Sequence, residues 1–293
     1  MTRAFAILGA PTDAHVHLGL VDRDPVAHSV LGRVVDLGGS LSAPRLIHGD
    51  AGIPPLRVEF AGPFLTPVGG YPSDRDWADP SWVREIPDAA EAGRVVDELA
   101  DAGVTLVKIA SNAVAGPTFT AELLAAIVTR ADARGLPTVV HVEGPGEAGR
   151  ALEAGATYLA HAPFSELLSA DEIAEHAARV TWISTLAIHP AASTERGVAV
   201  ENVTAFRAAG GRLRYGTDMG NGPTPLGLNL DELDALRDAG LTTPELLEAL
   251  DLADIHDPAS RLMVVDGEGD DLDFASARLL TPILREELDV RSS

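Results

Sequence analysis

The chain of 293 residues holds one lysine, Lys108, inside the run Thr105-Leu106-Val107-Lys108-Ile109-Ala110. Every other permanently cationic side chain is an arginine. Arginine serves wherever only positive charge is needed, but it cannot supply a deprotonatable, nucleophilic amine. Lys108 is therefore a candidate for amine chemistry. The alternative is a lysine at an apolar strand end whose head reaches water. A second group of reactive side chains lies in Asp13-Ala14-His15-Val16-His17. Strand side chains repeat every two residues, so Asp13, His15 and His17 share one face. His141, His161 and Asp218 each close a short apolar run. Imidazole and carboxylate together suit zinc, and also manganese, nickel or iron. Singly, a strand-end histidine reads as packing and an aspartate before a loop as a turn former or helix cap.

The elements that carry these residues alternate. Extended runs are expected at 5–8, 12–18, 33–37, 56–60, 104–109, 137–141, 157–160, 180–186 and 213–216. Helices are expected at 25–32, 89–102, 120–134, 147–154, 169–178, 200–209, 231–238, 243–252 and 257–262, many of them closed by glycine. Runs 104–109 to 180–186 are nearly continuously apolar, as parallel strands buried on both faces must be. The stretch 62–80 is rich in Gly and Pro and reads as a long loop, of a length that is usually functional or disordered. Eight strand–helix units in this length predict a (β/α)8 TIM barrel in a single domain spanning 1–293. The first strand ends in histidines rather than a Gly-rich phosphate turn, which argues against a doubly wound sheet. In a barrel, His15, His17, Lys108, His141, His161 and Asp218 would all stand on the C-terminal rim, where barrel active sites are built.

Composition narrows the partners. There are no cysteines, which excludes disulfides, thiolate metal sites and a cysteine nucleophile. The net charge of −22 argues against nucleic acid or anionic membrane as partner. The apolar stretch Met1 to Ala10 is too short for a secretory signal, and no run approaches a membrane helix. The expectation is a cytoplasmic protein acting on a small molecule, with homo-oligomerisation left open.

The pattern Asp-x-His-x-His, then Lys108, His141, His161 and Asp218 at successive strand ends, resembles the amidohydrolase superfamily in its two-metal form. Within it, Val107-Lys108-Ile109, the segment from His141 through Ala154-Gly155 to His161, and Gly69-Gly70 are most similar to imidazolonepropionase-like and Xaa-Pro dipeptidase-like metal hydrolases. The resemblance covers about residues 11 to 265. It implies two divalent ions, zinc foremost. His15, His17 and Asp218 would hold the first and His141 and His161 the second, with Lys108 bridging them as a carbamate. It further implies hydrolysis of a C–N amide bond in a small dipeptide-like or cyclic amide by a metal-bridging hydroxide, with Asp218 as general base and then acid. Asp13 would support the ligands from behind or pack the strand end.

Three features depart from the family pattern. The N-terminal part of the usual accessory β-sandwich is nearly missing, so the sandwich is expected to be absent or strongly reduced, with a short acidic tail from about 264. Tyr71 stands where relatives often carry a histidine. Glu143 lies two residues after His141, not three as in single-metal deaminases. Tyr71, His189 and Asn221 are candidate substrate contacts, and Asn112, Glu143 and Arg196 occupy rim loops. His28, His48, His176 and His256 read as surface or packing residues. Competing activities on the same barrel are ester or lactone hydrolysis and one-metal decarboxylation. A non-catalytic binding barrel is a further alternative.

Overall fold

The computed structural model describes residues 4–292. Residues 1–3 and 293, the ends of the expected domain, lie outside the described residues. In chain order the strands are β1 (Phe5–Gly9), β2 (Thr12–Val16), β3 (Arg33–Asp36), β4 (Leu46–Ile47), β5 (Leu56–Phe60), β6 (Phe64–Thr66), β7 (Val83–Glu85), β8 (Val107–Asn112), β9 (Thr138–Glu143), β10 (Tyr158–Ala160), β11 (Thr181–Ile183), β12 (Leu213–Arg214), β13 (Leu262–Asp266) and β14 (Asp273–Leu279).

An α/β architecture is present. A parallel seven-stranded sheet runs β12-β11-β10-β9-β8-β6-β7, and a second sheet runs β2-β3-β5-β4. The expected barrel is not closed as one continuous ladder. Only Ala61-Gly62-Pro63 separate β5 from β6, so the chain itself joins the two sheets there. At the other edge the contact between β2 and the segment after β12 narrows to a parallel bridge, Val16 to Met219, with backbone bonds from Ala14 N–H to Tyr215 O (3.0 Å) and Asp218 N–H to His15 O (2.8 Å). A buried cluster nevertheless spans both sheets, with Ala14, Val139, Ala160 and Ile183 on β2, β9, β10 and β11, and Leu37, Ala61 and Leu106 next to the ends of β3, β5 and β8.

The larger core lies between the sheets and the helices, among them Ala89–Asp101, Ala121–Ala133 and Thr194–Ala208. The helix Ala89–Asp101 places Ala92, Val95, Val96 and Leu99 on one buried stripe, the 3.6-residue spacing of its sequence. Ser169 and Glu172 form a capping box that starts the helix Ala170–Arg179. Trp182 stacks on Phe206 with centroids 3.8 Å apart, fastening β11 to its covering helix.

Several local expectations are corrected. Residues 257–262 are not helical: Asp257 accepts from the Ser260 and Ala259 backbones in a local turn, and the chain enters β13 at Leu262. The stretch 62–80 is not loop throughout, since β6 pairs with β8 inside it. The strand carrying Lys108 continues to Asn112, and the one carrying His141 continues to Glu143, so these two residues stand on strands rather than in loops. The residues after 264 are no loose tail. β13 pairs antiparallel with both β1 and β14, and a helix, Pro282–Ser292, follows. Among the described residues, no helix is long and apolar enough to cross a membrane.

Candidate active site

His15 and His17 leave β2 towards a cavity of about 270 Å³ at the C-terminal ends of the parallel strands. Lys108 of β8, His141 of β9, His161 just past β10 and Asp218 beyond β12 line the same cavity. All six side chains are buried. They are as far apart in sequence as His15 and Asp218, yet the parallel arrangement delivers every one to the same end.

Asp218 is the point of convergence. Its Oδ1 lies 3.1 Å from His15 Nε2 and 3.0 Å from His17 Nε2. One donor atom from each of these three residues falls within 4.8 Å of the others, a group that could hold a metal ion. Asp218 Oδ2 accepts from Asn221 Nδ2 at 2.7 Å, which fixes the carboxylate plane. On the opposite wall His161 Nε2 and His141 Nδ1 are 2.9 Å apart. Each ring is steadied at its other nitrogen. His161 Nδ1 meets Thr185 Oγ1 at 2.8 Å, and His141 Nε2 lies 3.4 Å from Glu143 Oε2. The nitrogens aimed at each other are thus a second pair of imidazole donors, oriented as ligand histidines usually are.

Lys108 Nζ has no hydrogen-bond partner, and neither does either ring nitrogen of His15. Burial holds the Lys108 amine down to about 7, and Asp218 opposes that shift. Neutral amine is therefore available near neutral pH. Burial also lowers His15, His161 and His141, which keeps their lone pairs free. Burial alone would raise Asp218, but His15, the bond from His17 and His161 outweigh it and hold the carboxyl well below its ordinary range. Buried donors without partners are costly unless something else satisfies them, and this set of nitrogen and oxygen atoms matches a divalent cation.

The backbone is strained around these side chains. His161 (φ 74°), Thr185 (φ 50°) and Asp218 (φ 55°) are non-glycine residues in the left-handed region. Each such residue costs on the order of 1–3 kcal/mol and persists only where the surroundings fix it. Glycine is required nearby. A Cβ on Gly38 would overlap the Phe64 ring, and one on Gly220 would lie 2.7 Å from the His17 carbonyl oxygen.

Asp13 does not line the cavity. Its Oδ1 accepts from the His15 and Thr217 backbones, each at 3.1 Å, and its Oδ2 accepts from the Thr217 hydroxyl at 2.5 Å. It therefore binds β2 to the segment that presents Asp218. Tyr71 stacks on His141 at 5.4 Å, and Asn221 is on the wall. His189 is packed on Phe164 at 4.4 Å, outside the cavity lining. Arg196 is committed to Asp231, and His176 accepts from Trp182 Nε1 in the core.

The fold occurs in solved structures. A Xaa-Pro dipeptidase crystallised with methionine in its active site aligns with a TM-score of 0.69, 19% identity, and coverage of 91% of this chain and 82% of that one. An amidohydrolase aligns at 0.65 and 20%, covering 89% and 80%. Ochratoxinase from A. niger aligns at 0.69 and 14%, covering 89% and 77%. The fold is that of the amidohydrolases. No family model and no curated protein sequence matches the chain.

Sequence reasoning overlooked three residues of the site. Thr185 lies two residues past β11 and reaches His161, one past β10; its place inside the apolar run expected at 180–186 was a usable signal. Phe64 and Trp77 lie in the long Gly- and Pro-rich stretch, where no periodicity marks them as cavity residues.

Proposed function

We propose that the chain is a metal-dependent hydrolase cleaving the C–N amide bond of a small dipeptide-like or cyclic amide. The observation that carries the reading is Lys108, a buried amine without a partner, facing four histidines and one aspartate across one cavity. We read the seven-stranded sheet and the parallel strands β2, β3 and β5 of the second sheet as arcs of one (β/α)8 barrel, and the small β1-β13-β14 sheet as a reduced accessory sandwich.

The residues fit two divalent ions, with zinc suiting the imidazole and carboxylate donors. His15, His17 and Asp218 would hold one, and His141 and His161 the other. Lys108 would join both as a carbamate: its neutral nitrogen bonds to the carbon of carbon dioxide and releases one proton to solvent. When bound, such ions polarise a carbonyl and make water more acidic. Asp218 accepts the proton of the attacking water and returns it to the leaving nitrogen. Asn221 holds Asp218 in the orientation for that transfer. Tyr71, on the cavity wall, donates to the substrate, and His189 contacts its outer part from the rim. A one-metal decarboxylase would need neither Lys108 nor His161.

The test is amine release from a panel of small amides, with ester and carboxylic acid analogues alongside, by protein reconstituted with zinc or manganese. Metal-dependent amine release supports the reading. Turnover of the esters or acids alone would replace it.

A further inference from the structure

The cavity has two chemically different sides. One carries the nitrogen and oxygen donors. The other is formed by Phe64, Tyr71 and Trp77. Trp77 stands 6.1 Å from Phe64 at 72° and 6.3 Å from Tyr71 at 60°, giving an angled aromatic wall. Phe64 also packs on His17 at 5.6 Å, so the wall adjoins the reacting end. Trp77 keeps 39% of its surface exposed at the mouth. Covering such a ring is favourable at about 25 cal/mol per Å².

Charge on this wall is one-sided. Among the described residues no arginine lines the cavity, and Lys108 is its one cation by type. Arg75 lies over the Tyr71 ring at 5.5 Å with its Nε 3.5 Å from Asp74. Arg196 is held by both carboxylate oxygens of Asp231 at 2.7 Å. A substrate carboxylate placed against this wall would lose water, which is costly, and the arginine beside the wall, Arg75, is already paired with Asp74. A ring of no net charge would lose only unfavourable apolar exposure. The volume of about 270 Å³ lies at the small end for ligand sites, room for one ring and its amide.

We infer that the substrate is an uncharged aryl or heteroaryl amide whose ring packs on Phe64, Tyr71 and Trp77, selected over analogues bearing a free carboxylate. This rests on the hydrolase reading of the same site and narrows its substrate to amides without a free carboxylate, setting carboxylate-bearing dipeptides aside.

The test uses three matched compounds on the metal-reconstituted full chain: acetanilide, 4-acetamidobenzamide and 4-acetamidobenzoate. They share the scissile bond and differ only in the ring substituent. Both kcat/KM and Kd, the latter from tryptophan quenching, are measured. The two neutral compounds are expected to exceed the benzoate at least roughly tenfold, the scale of an unpaired buried polar group. Trp77→Arg, at an exposed position, is expected to move that ratio at least roughly tenfold towards the benzoate. Equal or better use of the benzoate by wild type, or an unmoved ratio in Trp77→Arg, overturns the inference. If amides are cleaved but the benzoate is preferred, the inference fails and the hydrolase reading stands. If none is cleaved yet neutral compounds bind tighter, the inference on charge holds and the hydrolase reading fails.

Discussion

Replacing Lys108 with methionine, in protein stripped of metal by a chelator, isolates what the buried amine costs the fold. Methionine keeps the length and flexibility of the side chain without its charge. Lys108 is 1% exposed, its Nζ is unpartnered, and burial holds its pKa down to about 7 against an ordinary 10.5. The folded value lies below the unfolded one, so protonation works against folding. The penalty is present in full below about pH 7, shrinks as pH rises from 7 towards 10.5, and is gone above that. The gap corresponds to about 5 kcal/mol. Metal-free Lys108→Met is therefore expected to be more stable than metal-free wild type at pH 6, by up to about 5 kcal/mol. The difference should close steadily towards pH 10.5. Urea unfolding at fixed pH steps reads it directly. A difference that does not vary with pH, or a wild type more stable at pH 6, would refute the reasoning. With metal restored the order should reverse, because ions that bind only the native state stabilise it.

Two further outcomes follow from contacts in the site and behind it. Thr185→Ala removes the hydroxyl that steadies His161 Nδ1 and should weaken metal binding about 10- to 100-fold in competition with a chelator, with Thr185→Ser restoring it. Glu232 is buried, accepts from the Ala187 backbone, and is raised by burial to about 7 from an ordinary 4.5. Its folded value exceeds the unfolded one, so its contribution is intact below pH 4.5 and is lost as pH climbs through 7. Glu232→Gln should lack that decline, gaining about 3 kcal/mol on wild type between pH 4.5 and 8 in denaturant titrations.

The sequence was most legible where one physical rule acted alone. The two-residue period put His15 and His17 on one face, and both now meet Asp218. The apolar runs around Lys108 and His141 read as buried parallel strands, and they are β8 and β9. The period failed for Asp13, whose side chain turns to Thr217 instead of the cavity; the β2–β3 register shifts between Asp13 and Val16. Helix 257–262 was misread because its spacing is periodic over too short a span to outweigh local Asp257 turn bonds. The pairing of β13 with β1 joins residues about 250 apart and is invisible to local pattern. Of the aromatic wall only Tyr71 was singled out. Phe64 on β6 and Trp77 in the loop that follows meet it through the path of the chain, which composition does not encode.

The central claim is that Lys108 bridges two metal ions, and metal content per chain tests it most directly. Wild type reconstituted and desalted is expected to retain about two divalent ions per chain. Lys108→Ala and Lys108→Arg should both lose the pair and the activity, because neither can present a carbamate. An unchanged metal count with unchanged turnover in Lys108→Arg would contradict the account.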